Sequence, residues 1–147
     1  MITLQHPAVA VLFAPLSLLP PTAAYALWVG LSMLAWSLAV FLTVRAATPP
    51  PSWRLPLALL AITAPGLHWD LMWGQLSCLL ALGVVAGWLL LRKRRWLAAG
   101  IAVGVVAILK PFLLPLAFPI LVRGRGKGTV GLALGAMAPT LFALPWV

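Results

Sequence analysis

The first charged side chain in this sequence is Arg45, and beyond it charges come only in short, widely spaced groups. Arg45 and Arg54 flank a proline-rich link, AATPPPS. The only acidic residue, Asp70, follows. Arg92, Lys93, Arg94 and Arg95 form a cluster, and Lys110 stands by itself in an apolar region. Arg123, Arg125 and Lys127 alternate with glycine in RGRGKG, after which residues 128–147 are again uncharged. A soluble domain carries about 25% charged residues; here charged residues are 7% and apolar ones 64% of the chain. Disorder is excluded by the same apolar excess, because disordered segments need low hydrophobicity. The remaining class is an integral membrane protein. The fold class predicted is all-α, a polytopic transmembrane helical bundle with short broken helices, forming one transmembrane domain over residues 1–147.

A formal net charge of +9 invites comparison with nucleic-acid binders, but no nucleic acid is expected as a partner. The basic residues lie between apolar stretches, not over a polar surface, which is how Lys and Arg mark cytoplasmic loops. Arg92–Arg95 and Arg123–Lys127 read as topology determinants that also touch anionic membrane lipids. Cys78 is the single cysteine, so no intrachain disulfide or cysteine-based metal site is available, and in its apolar run it acts as a small hydrophobe. The N-terminus lacks the basic start and the cleavage site of a signal peptide.

Thr22–Val44 is the clearest predicted membrane helix, long enough at 1.5 Å per residue to cross a hydrocarbon core of about 30 Å. Ahead of it Pro7, Pro15, Pro20 and Pro21 cut the chain into short pieces, which predicts a short or re-entrant helix. His6, just before that stretch, reads as a plain interfacial residue. Leu55–Leu67 and Gly74–Leu91 form a pair bounded on both sides by basic residues. If Lys and Arg mark the cytoplasm, the pair is a hairpin whose tip, GLHWDLMWGQ, faces the other side.

Trp96–Val122 repeats the layout between two basic clusters. A hairpin turning at Lys110-Pro111 is favoured over a single span, because it leaves nine of the ten basic residues on one side. Each arm then has about 11–14 residues, roughly 17–21 Å, a length tolerated where broken helices line a cavity. Lys110 falls near the outer ends of the helices, on the side of Asp70 and His68, and Thr129–Val147 crosses outward again. Gly83 and Gly87, Gly100 and Gly104, and Gly131 and Gly135 stand four apart, so each pair shares a helix face and permits close packing.

Few residues can carry chemistry. Lys110 is the sharpest, since a charge within the membrane costs about 2.5–3.5 kcal/mol on insertion scales and such residues usually have a partner or a task. It either captures a phosphate at the membrane surface, as a point charge, or snorkels to the interface. Asp70 reads as a general base, a metal ligand, or a capping or solvated loop residue; one carboxylate makes a poor metal site, and no metal is assigned. His68 either joins Asp70 in a polar cluster or is an interfacial loop residue beside the belt aromatics Trp69 and Trp73. Gln75 is read as opening an apolar helix, where an amide binds a sugar hydroxyl or a neighbouring helix, with Gly74 allowing a tight entry. No Walker loop, dinucleotide fingerprint, Ser-His-Asp set or metal-ligand spacing is present.

The segment GQLSCLLALGVVAGWLLLRKRRWLAAGIAVGVVAILKPFLLPLAFPIL, Gly74–Leu121, resembles the core of glycosyltransferase family 87. The elements of the likeness are Gly74-Gln75 at a helix start, the basic turn Arg92–Arg95, Ala99-Gly100 with Gly104, Lys110-Pro111 and the apolar Phe112–Val122. HPAVAVLFAPLSLLPPTAAYALW is similar to the family's proline-punctuated segment, so the resemblance covers most of the chain. The family places an Asn two residues after the Gln, where this chain has Ser77.

The resemblance implies a membrane glycosyltransferase of the GT-C type, many of which are mannosyltransferases using polyprenyl-phosphate sugar donors. Such an enzyme transfers a hexosyl group to an extracytoplasmic acceptor. The reaction needs a base for the acceptor hydroxyl and positive charge for the departing phosphate. The resemblance thus gives Lys110 the donor phosphate, Gln75 and His68 substrate contacts, and a polyprenyl-phosphate sugar as partner, with no certain cofactor. GT-C enzymes hold a catalytic acid in their first extracytoplasmic loop, which by this likeness would precede Met1. Asp70 is the only carboxylate in the chain that can serve, and the chain is expected to be part of a larger membrane module in the cell membrane. Two other classes fit the composition: a small transporter or channel subunit with a pathway past Lys110 and Asp70, and a non-catalytic membrane scaffold packed through its glycines.

Overall fold

Proline sets the element boundaries. A proline at the first helical position loses nothing, because its missing N–H is one that a helix start leaves unpaired anyway; further in, it ends or bends the helix. The structure, a computed structural model, describes residues 7–124 and 126–144, and among them every regular element is a helix. These are α1 (Pro7–Phe13), followed by a 3-10 turn at Ala14–Leu18, α2 (Pro21–Ala47), α3 (Pro51–Ile62), α4 (Pro65–Met72), α5 (Ser77–Arg92), α6 (Trp96–Leu109), a 3-10 turn at Pro111–Ala117, α7 (Phe118–Arg123) and α8 (Lys127–Ala143). Pro7, Pro21, Pro51 and Pro65 each stand first in their helix. His6 lies outside the described residues.

The all-α expectation holds. Two stretches, Pro21–Ala47 and Pro51–Met72, are long and apolar enough to cross a membrane, and α5, α6 and the segment Pro111–Arg123 are shorter apolar elements. The boundaries differ from the sequence reading in three places. Leu55–Leu67 is not one piece: α3 starts earlier, at Pro51, and Pro65 splits the stretch after Ile62, because the residue before a proline is pushed out of the α region. The helix expected from Gly74 begins only at Ser77. The return arm after Lys110 is a 3-10 turn and a short helix, since Pro115 interrupts the α-helical bonding and Pro119 is accommodated in the first turn of α7.

The chain divides into two compact units, Pro20–Val85 in one and Met1–Leu19 with Ala86–Val147 in the other. In the first, α2 is the long element, 27 residues or about 40 Å. Near its N-terminal end the Tyr25 hydroxyl donates to the Leu71 carbonyl of α4 at 3.4 Å. Further along, Trp36 Nε1 donates to the Ala61 carbonyl of α3 at 3.1 Å. At the far end Phe41, Val44 and Arg45 share a hollow with Arg54 of α3. The α4 end and the Arg45–Arg54 end of this unit are thus separated along α2 by about 30 Å, from Tyr25 to Arg45 at 1.5 Å per residue. Trp36, Val40, Leu57, Leu60, Ala81 and Val84 are among the residues lining an open apolar hollow of about 590 Å³ between α2, α3 and α5.

The second unit is built on a seam of glycines between α6 and α8. A Cβ placed on Gly100 would lie 2.9 Å from Gly131 Cα, and one on Gly104 would lie 3.1 Å from Gly135 Cα. A Cβ on Gly131 would strike the Leu97 carbonyl oxygen, and one on Gly135 the Ile101 carbonyl oxygen. The two backbones therefore touch, as the small-residue spacing predicted for these pairs. Gly87 of α5 is also buried, and a Cβ there would lie 2.8 Å from Val103 Cγ2 of α6. The chain does reverse after Lys110: Ala117 and Ile120 of the return arm pack with Val103 of α6, and Leu91, Leu116 and Leu132 cover the cluster.

Candidate functional site

The polar patch expected at a hairpin tip is a short helix and a turn. Pro65 starts α4, and Leu67 is buried beneath it, while His68 is exposed and Asp70 half-buried. His68 and Asp70 are two positions apart on a helix, and such residues do not face each other. The structure therefore sends their side chains to different sides of α4, and the expected His68–Asp70 cluster is not built by this helix. Asp70 sits in the last turn of α4, where the helix dipole opposes a negative charge. The carboxylate does not stabilise its own helix.

Gly74 makes the turn out of α4. Its φ is +60°, a left-handed conformation that glycine adopts without a steric penalty. The Gln75 N–H then returns to the Asp70 carbonyl at 2.9 Å, and the Gly74 N–H to that of Leu71 at 3.3 Å. Gln75 is consequently an exposed residue of the turn, ahead of α5. This corrects the reading that it opens the helix: the left-handed residue before it delays the helix start. Trp69 and Trp73 are largely exposed, as belt aromatics would be.

Two residues absent from the sequence reading of this patch complete it. Tyr25 holds the Leu71 carbonyl, as described, and Trp28 is buried with its indole Nε1 3.9 Å from where a Gly74 side chain would begin. Both come from the first turns of α2, far away in sequence. Their spacing of three on one helix face was the available signal.

Lys110 belongs to the other unit. It ends α6 in an extended conformation, φ −134° and ψ 96°, because Pro111 follows and excludes the α region at the residue before it. Its N–H donates to the Val106 carbonyl at 3.0 Å, and its own carbonyl accepts from Leu113 N–H at 3.0 Å. The side chain is half-buried, with Nζ 5.8 Å from the centroid of the exposed Phe112 ring. The ammonium is thus held at a helix break beside an aromatic face, a favourable setting for a cation. Among the described residues no group of three or more His, Cys, Asp or Glu side chains is placed to hold a metal ion.

At the other end of α6, Arg92, Arg94 and Arg123 line one hollow of about 480 Å³ with Leu91 and Trp96. The two basic segments that the sequence separates are therefore at the same end of this unit, as a chain reversal at Lys110 requires.

The model of glycosyltransferase family 87 matches residues 6–147. The chain belongs to this family. The family-87 match covers both compact units and all four candidate residues, His68, Asp70, Gln75 and Lys110. A curated relative, alpha-(1->3)-arabinofuranosyltransferase from Corynebacterium glutamicum, is 29% identical over 148 residues, which is 97% of this chain and 34% of the relative. The chain spans about a third of the length of that relative. No solved structure matches this chain.

Proposed function

We propose that this chain is part of a membrane glycosyltransferase that moves a sugar from a polyprenyl-phosphate donor to an extracytoplasmic acceptor, as a multi-pass protein of the cell membrane. Membership of glycosyltransferase family 87 over residues 6–147 is the observation that carries the reading. The roughly 30 Å between the α4 tip and Arg45 along α2 supports it, since that is the thickness of a hydrocarbon core. With Arg45 and Arg54 at the cytoplasmic face, the tip bearing His68, Asp70 and Gln75 reaches the opposite one.

In the proposed reaction the acceptor oxygen bonds to the anomeric carbon, the bond from that carbon to the phosphate oxygen breaks, and the lipid phosphate leaves with the electron pair. Lys110 offsets the charge on the departing phosphate. Asp70 is assigned as the base taking the hydroxyl proton, with Gln75 in the following turn on a sugar hydroxyl. The sugar is a hexose such as mannose or, as the name of the Corynebacterium glutamicum relative suggests, an arabinofuranose.

The test is transfer of labelled sugar from polyprenyl-phosphate mannose and polyprenyl-phosphate arabinofuranose, in membranes containing the protein. Lys110→Ala is expected to cut transfer by about a hundredfold, the usual cost of one lost electrostatic stabiliser, with insertion unchanged. Near-normal transfer by that variant would remove Lys110 from the mechanism. Transfer from neither donor would overturn the lipid-phosphate reading.

A further inference from the structure

We infer that the hollow formed by Arg92, Arg94 and Arg123 is a defined binding site for the phosphodiester headgroup of an anionic glycerophospholipid. The three guanidinium groups come from separate places: the end of α5, the turn after it, and the end of α7. Folding brings them around one cavity of about 480 Å³. Like charges gathered in this way repel unless an anion joins them, and the chain has one acidic side chain against ten basic ones.

Two further features mark a built site. Arg94 has φ +54°, a left-handed backbone that costs a side-chain-bearing residue about 1–2 kcal/mol and is found where the surroundings enforce it. Glycine would relieve that strain but would remove a guanidinium. Arg92 lies 5.2 Å over the centroid of the Trp88 ring, a stacking contact that restricts its fork. Arginine presents paired donors matched to phosphate oxygens, so three of them can ligate one phosphodiester from several sides.

The lipid source follows from the position. The hollow lies at the end of an apolar helix of a membrane chain, where headgroups are, and its other walls, Leu91 and Trp96, offer an apolar edge to the glycerol and first methylenes. Lys93 and Arg95, in the same cluster, do not line it. The site is therefore narrower than a general attraction of basic residues to an anionic surface.

That selectivity is the test. The protein would be purified in phosphatidylcholine micelles, with and without phosphatidylglycerol, and bound lipid counted by native mass spectrometry alongside thermal unfolding. The double variant Arg94→Gln/Arg123→Gln is expected to lose retained phosphatidylglycerol at least about tenfold, the scale of one charge-assisted hydrogen bond. Lys93→Gln/Arg95→Gln, with the same change in charge, is expected to retain it. Lipid retention by the unmodified protein stands as a measurement independent of how the variants fold. No preference for phosphatidylglycerol, an equal loss in both double variants, or the same stabilisation by inorganic phosphate alone would each overturn the site.

Discussion

Gly74 and Lys110 show how a single residue fixes local geometry. Gly74 is at φ +60°, so Gly74→Ala places a Cβ in the left-handed region at a cost of about 1 kcal/mol. Thermal unfolding in detergent should register that loss. The control is Gly30→Ala in α2, where nothing lies within 4 Å of the new methyl; it should be stabilising by about 0.5–1 kcal/mol through the lower backbone entropy of the unfolded chain. Equal effects from the two would mean that backbone conformation does not set the α4 tip. The tight turn at Gly74 was legible in the sequence, because glycine ahead of an apolar run has few other uses. The place of Gln75 outside the helix was not, since a helix start moves by two residues without changing the apolar pattern. Likewise His68 and Asp70 look like a cluster in a string of letters, and only the helical rotation between them separates the two side chains.

At the scale of elements, two devices organise the chain: proline at helix starts and glycine at helix contacts. The α6–α8 contact leaves no room for side chains, so Gly131→Ala, whose Cβ would meet the Leu97 carbonyl oxygen, should cost about 1–3 kcal/mol as an overpacked interior does. Gly135→Ala should behave alike against Ile101, and unfolding in micelles measures both. If either is tolerated like Gly30→Ala, the seam is looser than described. The glycine spacing made this face readable, but it could not say which helices meet. Three glycine pairs were candidates, and only the fold assigns α6 to α8. The proline pattern predicted short N-terminal pieces, and α1 with its 3-10 turn follows it. The split between α3 and α4 was harder to read, since Ile62 and Leu67 continue one apolar run across Pro65.

For the whole molecule, the long apolar runs between sparse charges made the all-α class legible, and two stretches, Pro21–Ala47 and Pro51–Met72, are long and apolar enough to cross a membrane. The division into two units was not legible: residues before Pro20 join those after Val85, and no local pattern announces a contact that distant. The reading of Arg54 and the α4 tip on opposite faces can be checked by cysteine accessibility in intact cells. In a Cys78→Ala background, Asp70→Cys should react with a membrane-impermeant maleimide added outside, and Arg54→Cys and Arg94→Cys only after permeabilisation. Reaction of positions 70 and 94 from one side would overturn the hairpin. The contact of α1 with α8 has a consequence for synthesis. A ribosome makes α1 well before α8, with six other helices emerging between them. The unit containing both therefore stays open until its latest helix is made, and during that interval the glycine face of α6 waits for its partner.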